Sequence, residues 1–182
     1  VPIKATDIEA IVAFSVKEQF DLVVVAPDDP LVLGLVDELE KAGIRAFGPR
    51  KNAAIIEGSK AFSKELMKKY QIPTAKYETF SNYEDAMAYI KKENTYPTVI
   101  KADGLALGKG VIIAQNEEEA EQALHDMMLK KVFGNSGMTV VIEEFLTGPE
   151  ISVLAFTDGK TVVPMVSAQD HKRVYDHDKG LN

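Results

Sequence analysis

The stretch Pro97-Thr-Val-Ile-Lys-Ala-Asp-Gly-Leu-Ala-Leu-Gly-Lys-Gly-Val-Ile-Ile-Ala114 decides how the fold is interpreted. Its β-branched ends, Thr98–Lys101 and Val111–Ala114, predict two short buried strands joined as a hairpin. Glycines let a backbone adopt positive φ and approach a ligand closely, so that successive N–H groups can point at one anion. Lys101 ends the first strand and Lys109 lies in the loop, which favours a polyphosphate ligand. The loop glycines are Gly104, Gly108 and Gly110.

Two other structures for this hairpin are a plain β-hairpin and a P-loop. A plain hairpin that happens to carry two lysines remains an alternative on composition alone. A P-loop is excluded, because the Gly-Lys-Ser/Thr sequence and the helix that follows it are both missing.

The composition limits the possible function classes. The chain has 182 residues, of which 46% are hydrophobic, and its net charge of −7 argues against general nucleic-acid binding. It contains no cysteine, which excludes disulfides and thiolate metal sites and fits a reducing cytoplasm. No apolar run approaches the roughly 20 residues of a membrane-spanning helix. The chain starts without methionine and stops in a loop-like sequence, so we expect an internal piece of a longer protein, with its oligomeric state open.

The first 50 residues alternate between helical and strand patterns. Thr6 is a candidate N-cap for the first helix, and the apolar run Asp21–Ala26 predicts a strand buried on both faces of a parallel sheet. A turn at Pro27–Pro30 leads into a second helix, and Ile44–Phe47 predicts another strand. In such α/β sheets ligands bind beyond the carboxyl ends of strands, which makes Pro27–Leu31 a candidate site. The alternative is that its two aspartates only cap the helix.

Residues 51–72 predict one or two further helices. Ser59 is a candidate N-cap, and Lys60 lies in the first turn, where the helix dipole disfavours a cation unless an anion is bound. The predicted buried stripe is Phe62, Leu66, Met67 and Tyr70. The predicted solvated face is Lys64, Lys68 and Lys69.

The remaining pattern mixes strands and helices. The predicted extended or strand segments are 76–80, 139–142, 151–156 and 161–166. The predicted helices are 81–92 and 116–130. A turn is predicted over Glu143–Glu150, and Asp158-Gly159 indicates a hairpin turn. The charged tail Asp170–Arg173 suits phosphate and hydroxyl groups, since arginine binds phosphate through two hydrogen bonds. Two nearby histidines are weak evidence for zinc, and no metal ligand is assigned in this chain.

Three stretches in order together resemble the ATP-grasp fold: Glu57–Lys60, Val99–Gly110 and Val141–Glu150. The further run Ala168-Gln-Asp-His-Lys-Arg173, with Gly180-Leu-Asn182, is similar to the phosphoribosylamine–glycine ligase family. The resemblance implies an α/β fold: a partial N-terminal Rossmann-like (pre-ATP-grasp) parallel sheet, followed by the first part of an ATP-grasp fold. It implies that residues 1–58 are the remainder of a substrate domain and that 59–182 begin the ATP-grasp domain, with a lid subdomain at about 76–146.

The resemblance also implies an activity and its site residues. The family joins glycine to 5-phosphoribosylamine, converting ATP to ADP and phosphate through glycyl phosphate. The residues implied to bind ATP are Lys60, Lys101, Gly104, Gly108, Lys109, Gly110, Glu143, Glu144, Phe145, Leu146 and Glu150. Those implied to bind substrate are Pro27, Asp28, Asp170, Lys172 and Arg173, and the last two are also implied to be catalytic.

Other expectations follow from the same resemblance. Mg²⁺ (or Mn²⁺) is expected with ligands beyond Asn182, so the isolated 182 residues are expected to be inactive. The sequence departs from the family at Ala26-Pro27-Asp28, where Gly-Pro-Glu is usual, and at Leu181, where proline is usual. The alternatives are another ATP-grasp carboxylate–amine ligase or carboxylase, or a non-catalytic nucleotide-binding fragment.

Overall fold

The computed structural model describes residues 1–106, 109–169 and 174–175. Backbone contacts divide the chain into two units, Val1–Phe145 and Leu146–Asn182, and each is described by itself. The predicted residues Gly108, Asp170, Lys172 and Arg173 lie outside the described residues.

The first unit begins with an α/β segment. A small parallel sheet pairs Val23 with Ala46 and Val24 with Phe47. Its core consists of Val25, Leu35, Val36, Leu39 and Ile44. Its elements are α1 (Ile8–Lys17), β1 (Val23–Val24), α2 (Asp28–Leu33), α3 (Leu35–Lys41), β2 (Ala46–Phe47) and α4 (Lys51–Gly58).

Two sequence predictions for this segment are wrong. The N-cap of α1 is Asp7 rather than Thr6, because the Asp7 carboxylate accepts a hydrogen bond from the Ala10 amide at 3.1 Å. The strand β1 is shorter than predicted and is not buried on both faces, since Val24 is 61% exposed. Among the described residues β1 pairs only with β2, so the apolar run has less cover than a central strand of a large parallel sheet.

The rest of the first unit is built on a four-stranded antiparallel sheet in the order β3-β6-β4-β5. Its strands are β3 (Tyr77–Phe80), β4 (Thr98–Ala102), β5 (Val111–Ala114) and β6 (Val140–Glu144). Its helices are α5 (Lys60–Lys69), α6 (Tyr83–Glu93) and α7 (Glu117–Leu124), which continues as a π-helical turn over His125–Leu129. A 3₁₀ turn over Gly134–Gly137 precedes β6.

The two faces of this sheet differ in chemistry. Ile100, Ala102, Val140 and Ile142 pack with α6 and α7 into the main core, where Ala86, Leu124 and Met127 are also fully buried. Alternate residues of the same strands point to the opposite face. The register pairs Val99 with Glu143 and Lys101 with Val141, so Lys101 and Glu143 share that second face as diagonal neighbours.

The predicted hairpin at the centre of the sequence is confirmed as β4 and β5, which pair Thr98 with Ala114 and Lys101 with Val111. The expectation that both strands are buried is wrong for β5. It is an edge strand, and Val111 and Ile113 are exposed. The predicted strand 139–142 runs on through Glu144, so the first two residues of the predicted turn belong to β6.

The second unit contains a hairpin of β7 (Ala155–Thr157) and β8 (Val162–Pro164), each shorter than predicted. The predicted turn at Asp158-Gly159 is confirmed, because Gly159 has φ +87° and an Asp158 carboxylate oxygen accepts from the Lys160 and Thr161 amides. Within the described part of the chain, no helix is both long and apolar enough to cross a membrane.

Candidate functional site

A buried carboxylate sits between two lysines on the second face of the central sheet. The Glu143 side chain is 6% exposed, and its two oxygens lie 3.2 Å from Lys64 Nζ and 2.9 Å from Lys101 Nζ. Lys101 is 28% exposed, so its ammonium group can reach solvent or a ligand while it stays paired. We call Lys64, Lys101 and Glu143 the ion-pair cluster. Removing one partner of a buried ion pair leaves an uncompensated charge, so the three side chains depend on each other.

Lys64 contradicts the sequence prediction of a solvated lysine face on α5. Its side chain is only 9% exposed. The predicted buried stripe on this helix is also partly wrong, because Phe62 and Tyr70 are 41% and 61% exposed. The physical reason is that α5 faces the side of the sheet that carries Glu143, with which Lys64 forms an ion pair.

Two further contacts hold the Lys64 ammonium group. It donates to the Thr74 hydroxyl at 2.7 Å and lies 5.4 Å from the centroid of the Tyr77 ring. Desolvation, followed by a hydrogen bond to Glu65, raises the pKa of Tyr77 to about 12. The ring therefore remains a neutral phenol, and its electron-rich face can stabilise a cation.

Lys60 is held differently, by the segment that follows β4. Its Nζ donates to the carbonyl oxygens of Gly104 at 3.1 Å and Asp103 at 3.4 Å. Ser59 caps α5 as predicted, accepting from the Phe62 amide at 3.0 Å. The Ser59 hydroxyl in turn donates to the Asp103 carboxylate at 2.9 Å. We call Ser59, Lys60, Asp103 and Gly104 the loop tie.

The electrostatics of the loop tie leave Lys60 easier to deprotonate than an ordinary lysine. Desolvation lowers its pKa, and the nearby Asp103 charge opposes this shift without cancelling it. The Asp103 carboxylate also accepts from the Ala61 amide at 2.7 Å, so its charge is used to cap α5. Lys60 is therefore a half-buried cation that donates to neutral carbonyl oxygens. Its charge is available to pair with an anionic group of a ligand.

Gly104 is glycine because its surroundings leave no room for a side chain. A Cβ there would lie 2.6 Å from Ser136 Oγ, and the Gly104 amide donates to the Ser136 carbonyl at 3.3 Å. At the other end of the loop, a Cβ on Gly110 would lie 2.7 Å from the Ala106 Cβ. Both ends of the glycine loop are thus fixed by close packing. The side chain of Lys109, between them, is exposed.

The segment predicted to bind adenine begins at the end of β6. The Glu143 carbonyl accepts from the Thr98 hydroxyl at 3.2 Å, and the Glu144 amide donates to the Lys76 carbonyl at 3.0 Å. Phe145 is partly exposed, 38%. The Glu143 carbonyl and the Glu144 amide, both predicted to be available to adenine, are therefore already hydrogen-bonded within the protein. The backbone groups that follow the Glu144 amide are better candidates for binding adenine. Leu146 and Glu150 lie in the second unit, and both are exposed.

A cavity of about 440 Å³ in the first unit brings together residues that the sequence assigned to different ligands. Predicted substrate residues Pro27 and Asp28 line it together with predicted ATP residues Lys60 and Gly110. The remaining lining residues are Ala5, Asp29, Pro30, Glu57, Leu105, Ala106 and Val111. Carboxylates and an ammonium group in one cavity can contact both the amine and the anionic groups of a ligand.

The alternative interpretation of Asp28 and Asp29 as helix caps gains little support. Pro27 is the N-cap residue of α2, and no side chain caps that position. Both aspartates lie in the first turn, where they complement the helix dipole. This does not prevent them from lining the cavity as well.

Sequence reasoning missed three residues of this region: Lys64, Asp103 and Ser136. The spacing of four between Lys60 and Lys64 places them one turn apart on α5, and this was the available signal. Asp103 directly follows β4 and precedes Gly104, so it was available as a capping side chain. Ser136 gave no local signal, since its contact with Gly104 joins distant parts of the chain.

An antiparallel sheet backed by helices, with lysines beside a glycine-containing loop at a strand end, is the arrangement of an ATP-grasp protein. The family profile described as Phosphoribosylglycinamide synthetase, ATP-grasp (A) domain, matches residues 58–182, and the profile of the N domain matches residues 1–57. The chain therefore belongs to the phosphoribosylglycinamide synthetase family, which confirms the predicted family and fold class.

Sequence and structural similarity to known proteins supports this family membership. The chain is 54% identical to phosphoribosylamine–glycine ligase of Listeria monocytogenes serotype 4b over 182 residues, 100% of this chain and 43% of that protein. It matches the crystal structure of phosphoribosylamine–glycine ligase from Thermotoga maritima with TM-score 0.75 and 33% identity, covering 93% of this chain and 41% of that one. It thus spans less than half the length of these relatives.

A more distant structure shares the fold. It is the biotin carboxylase domain of the Hydrogenobacter thermophilus 2-oxoglutarate carboxylase, solved with MgADP, ADP and bicarbonate. The TM-score is 0.71 at 24% identity, covering 92% of this chain and 39% of that chain.

Proposed function

We propose that the full-length protein carrying these residues joins glycine to 5-phosphoribosylamine, using ATP and forming glycinamide ribonucleotide, ADP and phosphate. The reaction is a step of purine biosynthesis. The identity to phosphoribosylamine–glycine ligase over the whole chain supports the assignment. The observation that carries it is the cavity in which Asp28 and Lys60 stand together, because a ligase must hold a nucleotide and an acceptor at one site.

The chemistry needs positioning and charge neutralisation more than covalent help from the protein. A carboxylate oxygen of glycine attacks the γ-phosphorus of ATP, the bond to the bridging oxygen breaks, and ADP leaves. The amine of phosphoribosylamine then attacks the carbonyl carbon of glycyl phosphate, which releases phosphate and a proton. Holding the reactants in line and stabilising the phosphoryl charge accelerate such steps.

In this proposal the described residues divide the task. Lys60 and Lys101 neutralise the nucleotide phosphates, and the backbone of the glycine loop approaches the same groups. The strand end from Glu144 to Leu146 binds adenine, and Glu150 accepts from the ribose hydroxyls. Pro27 and Asp28 face the phosphoribosylamine. The roles proposed for Asp170, Lys172 and Arg173 toward this substrate rest on the sequence resemblance.

Mg²⁺ enters the proposal without a site in the described residues. Among them, no group of three or more histidine, aspartate or glutamate side chains is placed to hold a metal ion. Because Mg²⁺ at nucleotide sites is usually held by one or two carboxylates together with phosphate oxygens, the described residues by themselves assign no magnesium site. The ligands for Mg²⁺ (or Mn²⁺) are expected beyond Asn182, as the resemblance implies.

The domain division at residue 58 and a cytoplasmic location are also proposals. Ser59 supports the division, since it lies between α4 and α5 and caps both helices. The lack of cysteine supports a reducing compartment.

The test is substrate-dependent ADP release by the full-length protein. We expect sustained ADP release only when glycine and phosphoribosylamine are both present, and we expect Lys60→Met to reduce that rate while Lys68→Met, an exposed lysine of the same helix, leaves it unchanged. ADP release with another carboxylate or with bicarbonate, and none with glycine, would show a different ATP-grasp ligase or carboxylase. Nucleotide binding without turnover of any of these would favour a non-catalytic binding protein.

A further inference from the structure

Lys64 is a buried cation to which the proposed reaction assigns no role. Its ammonium group contacts the Glu143 carboxylate at 3.2 Å, the Thr74 hydroxyl at 2.7 Å and the Tyr77 ring at 5.4 Å. With its donors engaged and its side chain 9% exposed, it is not placed to bind a ligand itself. Burying a charged lysine costs desolvation energy, so we expect the Lys64 ammonium group to have a structural or functional role.

The net charge of the ion-pair cluster indicates what this role is. Two ammonium groups and one carboxylate leave a net charge of +1. Each Glu143 oxygen has its own lysine, Oε1 with Lys64 and Oε2 with Lys101. Without Lys64 the balance would be zero, and the whole carboxylate charge would act on Lys101.

This matters because Lys101 is the member of the cluster that reaches the surface, with 28% of its side chain exposed. A cation fully neutralised by a buried carboxylate attracts a phosphate less than one that shares the carboxylate with a second cation. The interaction is strong at this depth, where the effective dielectric constant is lower than in water.

We propose that Lys64 is a positioning residue for nucleotide binding. It holds one oxygen of Glu143, fixes that carboxylate on the sheet face, and so leaves Lys101 with net positive charge for the phosphates of the ligand. The inference rests on the proposed ATP site and adds a residue that acts through Lys101 rather than by contact with the nucleotide.

The test measures dissociation constants for ATP and for adenosine with the full-length protein by titration calorimetry. In Lys64→Met we expect ATP affinity to fall about tenfold, the scale of one charge-assisted hydrogen bond. Adenosine has no phosphates, so its affinity should stay within about twofold of wild type on the same reasoning. Lys68→Met, the exposed lysine one turn further along α5, is the matched control and should change neither constant.

A second variant separates charge from folding. Lys64→Met/Glu143→Gln removes a cation and an anion together, so the remaining Lys101 keeps the net charge of +1 and no buried carboxylate is left unpaired. We expect this double variant to fold and to recover most of the ATP affinity lost in Lys64→Met. If Lys64 had a purely structural role, removing the Glu143 charge as well would not restore ATP affinity.

Three outcomes would overturn the inference. These are an equal loss of ATP and adenosine affinity in Lys64→Met, no loss of either, or a double variant that binds ATP no better than Lys64→Met or does not fold. If Lys64→Met itself does not fold, the ratio of ATP to adenosine affinity in the double variant decides, and only a near-wild-type ratio supports the inference. A wild-type protein that binds no ATP would instead refute the proposed function.

Discussion

The loop tie and the ion-pair cluster hold their lysines by opposite means. In the loop tie, Lys60 donates to neutral carbonyl oxygens, while the Asp103 carboxylate is used by Ser59 and by the Ala61 amide. In the ion-pair cluster, Lys101 lies directly against the Glu143 carboxylate at 2.9 Å. The two cations lie on neighbouring elements and are proposed to bind the same nucleotide.

A buried cation can therefore be kept available for a ligand in two ways. Carbonyl dipoles orient a lysine without cancelling its charge, but desolvation by burial then lowers the pKa of Lys60. A carboxylate fixes a lysine more firmly but cancels its charge, unless a second cation shares that carboxylate. Lys64 provides this second cation. The first arrangement should therefore be the more sensitive to pH, and the second the more sensitive to loss of a partner.

Loss of the carboxylate in the ion-pair cluster should have the strongest consequence. Glu143→Gln leaves two lysines without their shared carboxylate, one of them almost fully buried. Breaking a buried ion pair in this way typically costs about 3–5 kcal/mol, so we expect the free energy of unfolding to fall by about 3 kcal/mol. Urea unfolding of the full-length protein measures it, with Glu78→Gln, an exposed glutamate of strand β3, as control. A loss no larger than that of the control would show that the cluster is not the stronger restraint.

The next effect concerns Lys101 as a ligand for phosphate. Lys101→Met in the full-length protein should weaken ATP binding by about 1.5–3 kcal/mol, the value of a hydrogen bond to a charged group. Lys92→Met, an exposed lysine of α6, serves as control in the same calorimetric titration. Unchanged nucleotide affinity in Lys101→Met would remove the ion-pair cluster from the binding site and leave Lys60 as the main cation.

The smallest effect is the pH dependence of the loop tie. The pKa of Lys60 is lowered by desolvation, and a bound phosphate favours its protonated form and so raises that pKa. Binding therefore takes up protons where Lys60 is partly deprotonated, and ATP affinity should fall as pH rises through the lowered pKa of the free protein. The fall should begin below pH 10.5, the usual value for lysine.

Dissociation constants measured across alkaline pH test this expectation. Lys60→Arg is the matched variant, because arginine stays charged over the whole range. It should hold its own affinity for ATP to higher pH than the wild type. Parallel pH profiles for the two proteins would mean that another group titrates.

The sequence pattern predicted those parts of the structure that depend on residues close together in the chain. The bounds of β5, the Ser59 cap and the turn at Asp158-Gly159 depend on contacts within a few residues and are confirmed, while β4 ends one residue later than predicted, at Ala102. The family resemblance also rested on short ordered stretches, and it is confirmed by the profile matches.

Contacts between residues far apart in the chain could not be predicted from local sequence patterns. The bond from Lys101 to Glu143 joins residues 42 positions apart, and nothing near Lys64 in the sequence indicates its partner. The apolar residues of α5 predict a buried side, but the helix packs on a sheet face that carries charge. Likewise Asp28 and Lys60 were each predicted as ligand-binding, whereas their meeting in one cavity depends on tertiary packing. The assigned roles themselves stay predictions.

Ser59 joins three parts of the first unit. It is the C-cap of α4 and the N-cap of α5, and its hydroxyl donates to the Asp103 carboxylate at the start of the glycine loop. This one residue therefore connects α4, whose Glu57 lines the cavity, with α5 and with the loop that is proposed to cover the phosphates.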